Sequence, residues 1–406
     1  MDLEDKNTQE ETVEEETVEE VFEDELDSVK SFSTESPAKN KMIKFMGIIL
    51  GVVILLLLIL FIVSNLSPKK YTYTEIEGIL ENAAREYFKD YPTNLPKDEG
   101  SIVEIDSSNL TEAEKMKELS AYTGEEVACS GKVQVEKSGN LYLYTPFLSC
   151  GDVYTTTELT KKVLENNPTV TAGYGLYSNN GTYTFRGEKL NNYVKLDRGL
   201  WRIVKITSNN NLVLVSELGT DFGHPWDDRY NESKEYDSGI NQYGVSRMRE
   251  FLNKLYTNPS HDAEDGEYLL SKKDRAKLVY FNLCIGKRGI KSEGNNNALE
   301  CSEVFKNQKI GLLTLSEYMY ASLDPNCKTS ESTSCKNYNY LNELNDWWLI
   351  TADKDSNSQV FNINRHGNIT SEDAAGFAIV RPVIYLNSKV LYKSGNGTKE
   401  KPYKVK

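Results

Sequence analysis

The loop from Asp221 to Gly239 carries the side chains best suited to bind a ligand. Aromatic rings stand beside carboxylates in this loop, and that combination suits a polyhydroxylated ligand such as a glycan. The central residues are Trp226, Asp227, Asp228, Arg229 and Tyr230. Because binding residues concentrate on loops, the run predicts a ligand-binding surface. The alternative is an ordered surface loop whose tryptophan folds back onto the core.

The same loop offers oxygen ligands for a metal ion, but without a recognised spacing. These oxygens belong to Asp221, Asp227, Asp228, Glu232 and Asp237. Their spacing is not that of an EF-hand, so no metal site is predicted and calcium is kept as an alternative. The three histidines are scattered, and no cysteine pair has the spacing of zinc ligands. Motifs of hydrolases, zinc proteases and nucleotide-binding loops are absent, which predicts a protein that is not an enzyme and has no cofactor.

All six cysteines lie between residues 129 and 335 and none lies before, which is typical of a segment in an oxidising compartment. A hairpin around the turn Gly139-Asn140 would pair residues whose numbers sum to 279. Cys129 and Cys150 share that sum and would lie opposite each other, within disulfide reach. The remaining cysteines pair most simply as Cys284–Cys301 and Cys327–Cys335. Four cysteines nevertheless permit three connectivities.

Most of the net charge of −14 belongs to the first 41 residues. They hold fifteen acidic residues and four lysines, a balance of −11, and almost no aromatic residues. Such a segment buries too little apolar surface to fold, which predicts a disordered acidic tail at 1–41. A docking tail for a basic partner is the alternative. The rest of the chain is close to neutral, which argues against nucleic acid as a partner.

Nineteen residues without charge, Phe45 to Val63, follow the tail. A run of that length predicts a transmembrane helix, placed at 42–66 with its flanks. More lysines flank its first end than its second, and the cysteines lie only beyond it. We therefore expect an integral protein of the cell membrane with one span. Its N-terminus would be cytoplasmic and its C-terminal domain extracellular.

Two domains are expected beyond this segment, at 71–157 and 158–406. In the first, the box Thr74–Glu77 predicts the start of an amphipathic helix, and a second box at Thr111–Glu114 predicts a short one. Together with the hairpin, these helices make a small α+β stalk domain. The second domain has many short strands and long polar connections, which is typical of an antiparallel sheet in an α+β domain.

The main elements predicted for the second domain are strands and two helices. The strands are Leu200–Ile206, Leu212–Ser216, Ile310–Leu315, Trp347–Thr351, Val360–Asn364 and Phe377–Leu386. The helices are Ser246–Leu255 and Tyr268–Val279, and the latter segment is alternatively a helix after a strand. Pro382 should make part of the last strand an edge strand or break it. Trp347 and Trp348 would point to opposite faces of a strand, as a sugar platform or, more commonly, as core residues. Arg381 needs a partner if buried, and Glu317 or Asp346 is the expected one.

Several segments in this order resemble a family of uncharacterised bacterial surface domains. They read GLWRIV, LVLVS, SRMREFLN, LLTLSEY, WWLIT and GFAIVRPVI, between Gly199 and Asn387. The family typically carries W-W-L-R-S and V-R-P, and it is similar to the C-type-lectin-like fold shared with formylglycine-generating enzymes. Ile350 and Thr351 stand where the family has Arg-Ser, so any ligand contact of that arginine would be absent. The resemblance implies a lectin-like sheet domain with long loops.

The sequence therefore favours a membrane-anchored extracellular binding module for glycan, cell-wall or protein ligands. Two alternatives stay open. One is a transmembrane sensor or scaffold that signals through the acidic tail. The other is an enzyme on a formylglycine-like scaffold, for which no nucleophile, base or metal set is recognisable.

Overall fold

The architecture was obtained as a computed structural model, which describes residues 45–57, 71–124, 127–138, 141–197, 199–229, 239–257 and 270–406. The chain divides into two compact units, Met1–Lys70 and Tyr71–Lys406. The second unit is α+β and consists mostly of sheet. The predicted disordered tail at 1–41 lies outside the described residues.

The predicted transmembrane helix is corrected by the structure. In the first unit, the described residues 45–57 are helical, and we call this segment α1. None of the helices in the described ranges combines the length and the apolar character needed to cross a membrane. The expected integral membrane partnership and single-pass localisation rested on that span and are corrected with it. Residues 58–66 of the predicted span lie outside the described part of the chain.

Helices and strands alternate irregularly along the second unit. The helices are α2 (Tyr73–Asp90), α3 (Ser107–Glu112), α4 (Ser120–Thr123), α5 (Leu159–Asn166), α6 (Arg247–Thr257), α7 (Lys272–Arg275) and α8 (Leu315–Ala321). The strands up to residue 225 are β1 (Ile102–Asp106), β2 (Ser130–Ser138), β3 (Leu141–Cys150), β4 (Tyr154–Thr155), β5 (Gly175–Asn179), β6 (Thr182–Arg186), β7 (Tyr193–Lys195), β8 (Leu200–Ile206), β9 (Leu212–Ser216) and β10 (His224–Pro225). The later strands are β11 (Phe281–Cys284), β12 (Val304–Gln308), β13 (Trp347–Ala352), β14 (Gln359–Ile363), β15 (Ile369–Asp373), β16 (Phe377–Ala378), β17 (Val383–Leu386), β18 (Tyr392–Ser394) and β19 (Tyr403–Val405).

Buried apolar side chains form two cores within this unit. The members of one core come from residues 76–150, and those of the other come from residues 159–403. We call residues 71–157 the first lobe and residues 158–406 the second lobe. In the first lobe, α2 packs a buried stripe of helical spacing against the sheet β1-β2-β3-β4. The stripe consists of Ile76, Leu80, Ala83, Ala84 and Phe88.

Helix α2 begins two residues earlier than the sequence pattern predicted. The Thr72 hydroxyl accepts a hydrogen bond from the backbone N–H of Glu75 at 3.3 Å, and the Glu75 carboxylate accepts one from the Thr72 N–H at 2.7 Å. This capping box satisfies two N–H groups that the helix leaves unpaired. The predicted box Thr74–Glu77 is therefore wrong, and Glu77 is buried instead. The second predicted box is also wrong, since α3 ends at Glu112 and Glu114 has a φ of 58°.

The hairpin of β2 and β3 has the predicted register. Ser130 lies opposite Ser149, and Ser138 lies opposite Leu141. Continuing that register outward places Cys129 opposite Cys150, and the two form a disulfide with their Cα atoms 4.1 Å apart. The turn at 139–140 lies outside the described residues.

An eight-stranded sheet dominates the second lobe. Its path is β17-β9-β8-β7-β19-β18, with β6 pairing β8 and β5 pairing β6. Strands β8 and β9 have the predicted bounds and form the antiparallel centre, whereas β7 and β19 are parallel. Every residue of β9 is buried, because the sheet is covered on both faces here.

Other predictions for the second lobe need correction. The expected strand Ile310–Leu315 makes only an isolated bridge between Gly311 and Val383. The expected helix Tyr268–Val279 is limited to α7 among the described residues. The segment Phe377–Leu386 is divided into β16 and β17 with Pro382 between them, as the missing N–H of proline requires. Strand β13 is buried throughout, so Trp347 and Trp348 are core residues.

Candidate functional site

Trp226, the centre of the predicted binding loop, is a core residue. Its side chain is fully buried, and its indole Nε1 donates a hydrogen bond to the Leu349 carbonyl at 3.2 Å. Its ring centroid lies 6.2 Å from that of Tyr243. A ring in this position cannot stack on a ligand, so the prediction that Trp226 binds ligand is wrong.

Asp227 and Arg229 organise the start of α6. The buried Asp227 carboxylate accepts hydrogen bonds from Arg229 Nη2 at 2.5 Å and from the Arg247 backbone N–H at 3.3 Å. The hydrogen bond with the Asp227 carboxylate raises the pKa of Arg229. A carboxylate at the first N–H groups of a helix is stabilising. Asp228 is exposed and lies 3.6 Å from the guanidinium of Arg247, whereas Tyr230 lies outside the described residues.

The calcium alternative has no geometric support in the described part of the loop. Among described residues, no group of three or more His, Cys, Asp or Glu side chains is placed to hold a metal ion. Two of the five candidate ligands, Glu232 and Asp237, lie outside those residues.

The sequence predicted that a buried Arg381 would pair with Glu317 or Asp346, and this prediction is wrong. Arg381 donates to two carbonyl oxygens, that of Ser216 at 3.1 Å and that of Leu341 at 2.7 Å. Its guanidinium also lies 4.8 Å from the centre of the Trp347 ring. Burial lowers the pKa of Arg381. The contacts are internal, so this arginine is part of the core and not of a binding surface.

Glu317 pairs instead with Lys205, whose Nζ lies 2.6 Å from its Oε1. Burial would raise the pKa of Glu317, but the Lys205 ammonium and hydrogen bonds from Thr314 lower it overall. Burial would likewise lower the pKa of Lys205, and the Glu317 carboxylate raises it. Each group thus stabilises the charged form of the other.

All six cysteines form disulfides, in the pairs that the sequence favoured. They are Cys129–Cys150, Cys284–Cys301 and Cys327–Cys335. Since four cysteines allow three connectivities, the structure resolves an alternative that the spacing left open.

A cavity of about 450 Å³ lies where the first lobe meets the second. One face of α2 and the strands β2 and β3 line it from the first lobe. The second lobe contributes the end of α7, the segment after β17 and the end of the chain at Lys406. The charged residues of the lining are Glu77, Glu81, Glu136, Lys273, Lys277, Lys389, Lys393 and Lys406.

Two ion pairs join the lobes at this cavity. Glu77 is buried, and its carboxylate accepts hydrogen bonds from Lys406 Nζ and from the hydroxyl groups of Tyr154 and Thr156. Lys389 Nζ lies 2.7 Å from the Glu136 carboxylate. Burial, followed by the nearby Glu77 carboxylate, raises the pKa of Tyr154 and keeps that phenol protonated. These pairs connect the two walls of the cavity.

Gly78 gives α2 an open surface at the cavity. A side-chain Cβ built at this position would have no heavy atom within 4 Å, apart from the local helix backbone. Glycine inside a helix costs about 1 kcal/mol relative to alanine, and packing against the described residues does not require it here. A helix surface without a side chain lets a ligand approach the backbone closely.

Sequence reasoning missed this site because its parts are far apart along the chain. Glu77 and Lys406 are 329 residues apart. The misplaced capping box also assigned Glu77 to a helix end, although helical spacing puts Thr74, Glu77, Gly78 and Glu81 on one face of α2. The one feature of the sequence that could have indicated the cavity was Gly78, which interrupts this face of α2.

Comparison with known proteins gave one partial match. A family model described as "Domain of unknown function (DUF6273)" matches residues 209–388, which is less than half of the chain. The matched range contains α6 to α8 and part of the second lobe's side of the cavity, namely Lys273, Ala276, Lys277 and Asn387. Outside the matched range lie the whole first lobe and the remaining lining residues of the second lobe, which are Lys389, Val390, Leu391, Lys393 and Lys406. No curated protein and no solved structure matches the chain.

Proposed function

We propose that this protein is a non-enzymatic binding protein that takes a glycan into the cavity between its lobes. The observation that carries the proposal is the cavity itself, which combines a suitable size with an open helix face at Gly78. Ligand pockets commonly measure roughly 300–1,000 Å³ and often lie between domains. The lectin-like fold implied by the sequence resemblance is consistent with this role and belongs to the proposal.

The lining offers the mixture of groups that a sugar requires. Leu143, Pro146 and Leu391 provide apolar surface for the C–H face of a ring. Thr74 and Asn387 provide neutral donors and acceptors for hydroxyl groups. A site with apolar walls and a few convergent polar groups is typical of small-ligand binding.

Three disulfides in the second unit favour an oxidising compartment as the place where binding occurs. Glycans of cell surfaces and cell walls are abundant in such compartments, whereas a cytosolic metabolite would not meet the protein there. A cell-wall glycan or the glycan of a surface protein is therefore the ligand we propose.

A glycan array probed with the full chain and with two variants of Gly78 tests the proposal. Gly78→Leu should abolish binding because the leucine side chain projects into the cavity. Gly78→Ala is the matched control, since it should stabilise α2 by about 1 kcal/mol and fill little of the space. Both variants should fold, as the site around Cβ is open. The proposal is wrong if the wild-type chain binds no glycan, or if Gly78→Leu binds as the wild-type chain does.

A further inference from the structure

We infer that the glycan bound in this cavity is acidic and that Lys273 and Lys393 bind its carboxylate. This inference rests on the proposed function and extends it by naming the chemical class of the ligand. It follows from the charges in the lining, most of which are already neutralised by partners within the protein.

Each glutamate of the lining already has a cationic partner. Glu77 pairs with Lys406, and Glu136 pairs with Lys389. Glu81 pairs with Arg85, one turn along α2, at 2.8 Å. No carboxylate of the cavity wall is thus left to balance a further lysine.

The remaining lysines of the lining are three, and one of them has an internal partner. Lys277 Nζ lies 3.5 Å from the buried carboxylate of Asp274. Lys273 and Lys393 have no carboxylate within 4 Å in the part of the chain that the structure describes. The lining therefore carries two exposed lysines, Lys273 and Lys393, without an ion-pair partner among the described residues.

Lys273 acts electrostatically on a neighbouring lysine of the lining, Lys277. Burial lowers the pKa of Lys277, and the Lys273 ammonium lowers it further against the opposing effect of Asp274. Like charges close together destabilise each other, and a bound anion relieves that repulsion. A carboxylate that contacts Lys273 and Lys393 gains charge-assisted hydrogen bonds, which are the stronger class of hydrogen bond.

A sugar acid satisfies all the features of the lining at once. Its ring suits the apolar wall of Leu143 and Leu391, its hydroxyl groups suit Thr74 and Asn387, and its carboxylate suits the free lysines. A bare inorganic anion would leave the apolar wall unused, and a neutral sugar would leave the lysines without a counter-ion.

Calorimetric titration of the full chain with digalacturonate, and with neutral galactobiose of the same linkage, tests the inference. The wild-type chain should bind the acid at least about tenfold more tightly than the neutral sugar, a ratio equal to ~1.4 kcal/mol. The double variant Lys273→Gln/Lys393→Gln should lose this preference while still binding the neutral sugar. The preference should also shrink as NaCl is added, because salt screens exposed charges.

Lys306→Gln/Lys354→Gln is the matched control, since it removes the same charge from exposed positions outside the cavity. It should keep the preference for the acid. Equal binding of both sugars, or an unchanged preference in the Lys273/Lys393 variant, overturns the inference. The proposed function survives those results if Gly78→Leu abolishes binding of the neutral sugar. Binding of neither sugar counts against the inference, and the glycan array then decides the proposed function separately.

Discussion

At the scale of single residues, buried cations in the second lobe are stabilised in different ways. Arg288 is fully buried and has an acidic partner, Glu300, at 3.4 Å, with the Ser316 hydroxyl at 2.9 Å. Arg381 has only carbonyl oxygens and an aromatic ring among the described residues. Removing one member of a buried pair leaves an uncompensated charge, which is costly. Such residues therefore hold the fold in one arrangement without contacting a ligand.

Glu317→Gln should reduce the dependence of stability on pH in the acid range. The pKa of Glu317 is lowered in the folded state from its ordinary value of 4.5. Its contribution to the free energy of unfolding is therefore fully present above about pH 4.5 and is lost as the pH falls through the folded-state pKa. Urea unfolding across that range should show a flatter profile for the variant than for the wild-type chain.

The exposed Glu331→Gln serves as the control for that experiment, because no ion pair of Glu331 is found in the described chain. Its profile should follow that of the wild-type protein. Parallel profiles for all three proteins would show that the Lys205–Glu317 pair does not link folding to pH.

At the scale of elements, periodicity predicted the strands well and the ends of helices poorly. The bounds of β8 and β9 agree with the sequence pattern because buried strands carry strong apolar runs. The register of β2 and β3 follows from their turn, which fixes every pair of a hairpin. Thr72 and Thr74 both precede a glutamate three residues on, so local sequence could not decide which one caps α2. The segment Ile310–Leu315 is apolar because it is buried, although it does not join a sheet.

Removing two disulfides separately should show that their contributions differ with loop length. Cys129 and Cys150 are 21 residues apart, whereas Cys327 and Cys335 are 8 apart. Loop-closure entropy predicts that removing the disulfide of the longer loop lowers the free energy of unfolding by about 0.9 kcal/mol more than removing that of the shorter loop. Thermal and urea unfolding of the paired Cys→Ser variants measures both costs. An equal or reversed order would mean that native packing, and not the unfolded chain, sets the stabilisation.

At the scale of the whole molecule, the cavity depends on how the two lobes are joined. The pair of Glu77 and Lys406 connects α2 with the end of the sheet in the second lobe. Sequence reasoning could not predict it, because no local pattern relates residues this far apart. The resemblance and the family match likewise cover only the second lobe, so neither indicated a site at its border with the first lobe.

Glu77→Gln should destabilise the protein by up to about 3 kcal/mol, because it leaves the Lys406 ammonium without its buried carboxylate. Glu81→Gln is the control on the same face of α2, since its pair with Arg85 is largely exposed and should cost under about 0.5 kcal/mol. Urea unfolding measures both. Similar values for the two variants would show that the junction between the lobes does not depend on Glu77.

The bonds inside the lobes and those between them differ in kind. Each of the three disulfides closes a loop within a single lobe, whereas Glu77–Lys406 and Lys389–Glu136 cross the border as ion pairs. A reductant and an electrolyte should therefore act on separate parts of the molecule. Loss of the disulfides weakens each lobe internally, whereas concentrated salt weakens the more exposed pair, Lys389–Glu136, and loosens the border. The width of the cavity can in this way respond to ionic strength while the lobes themselves stay intact.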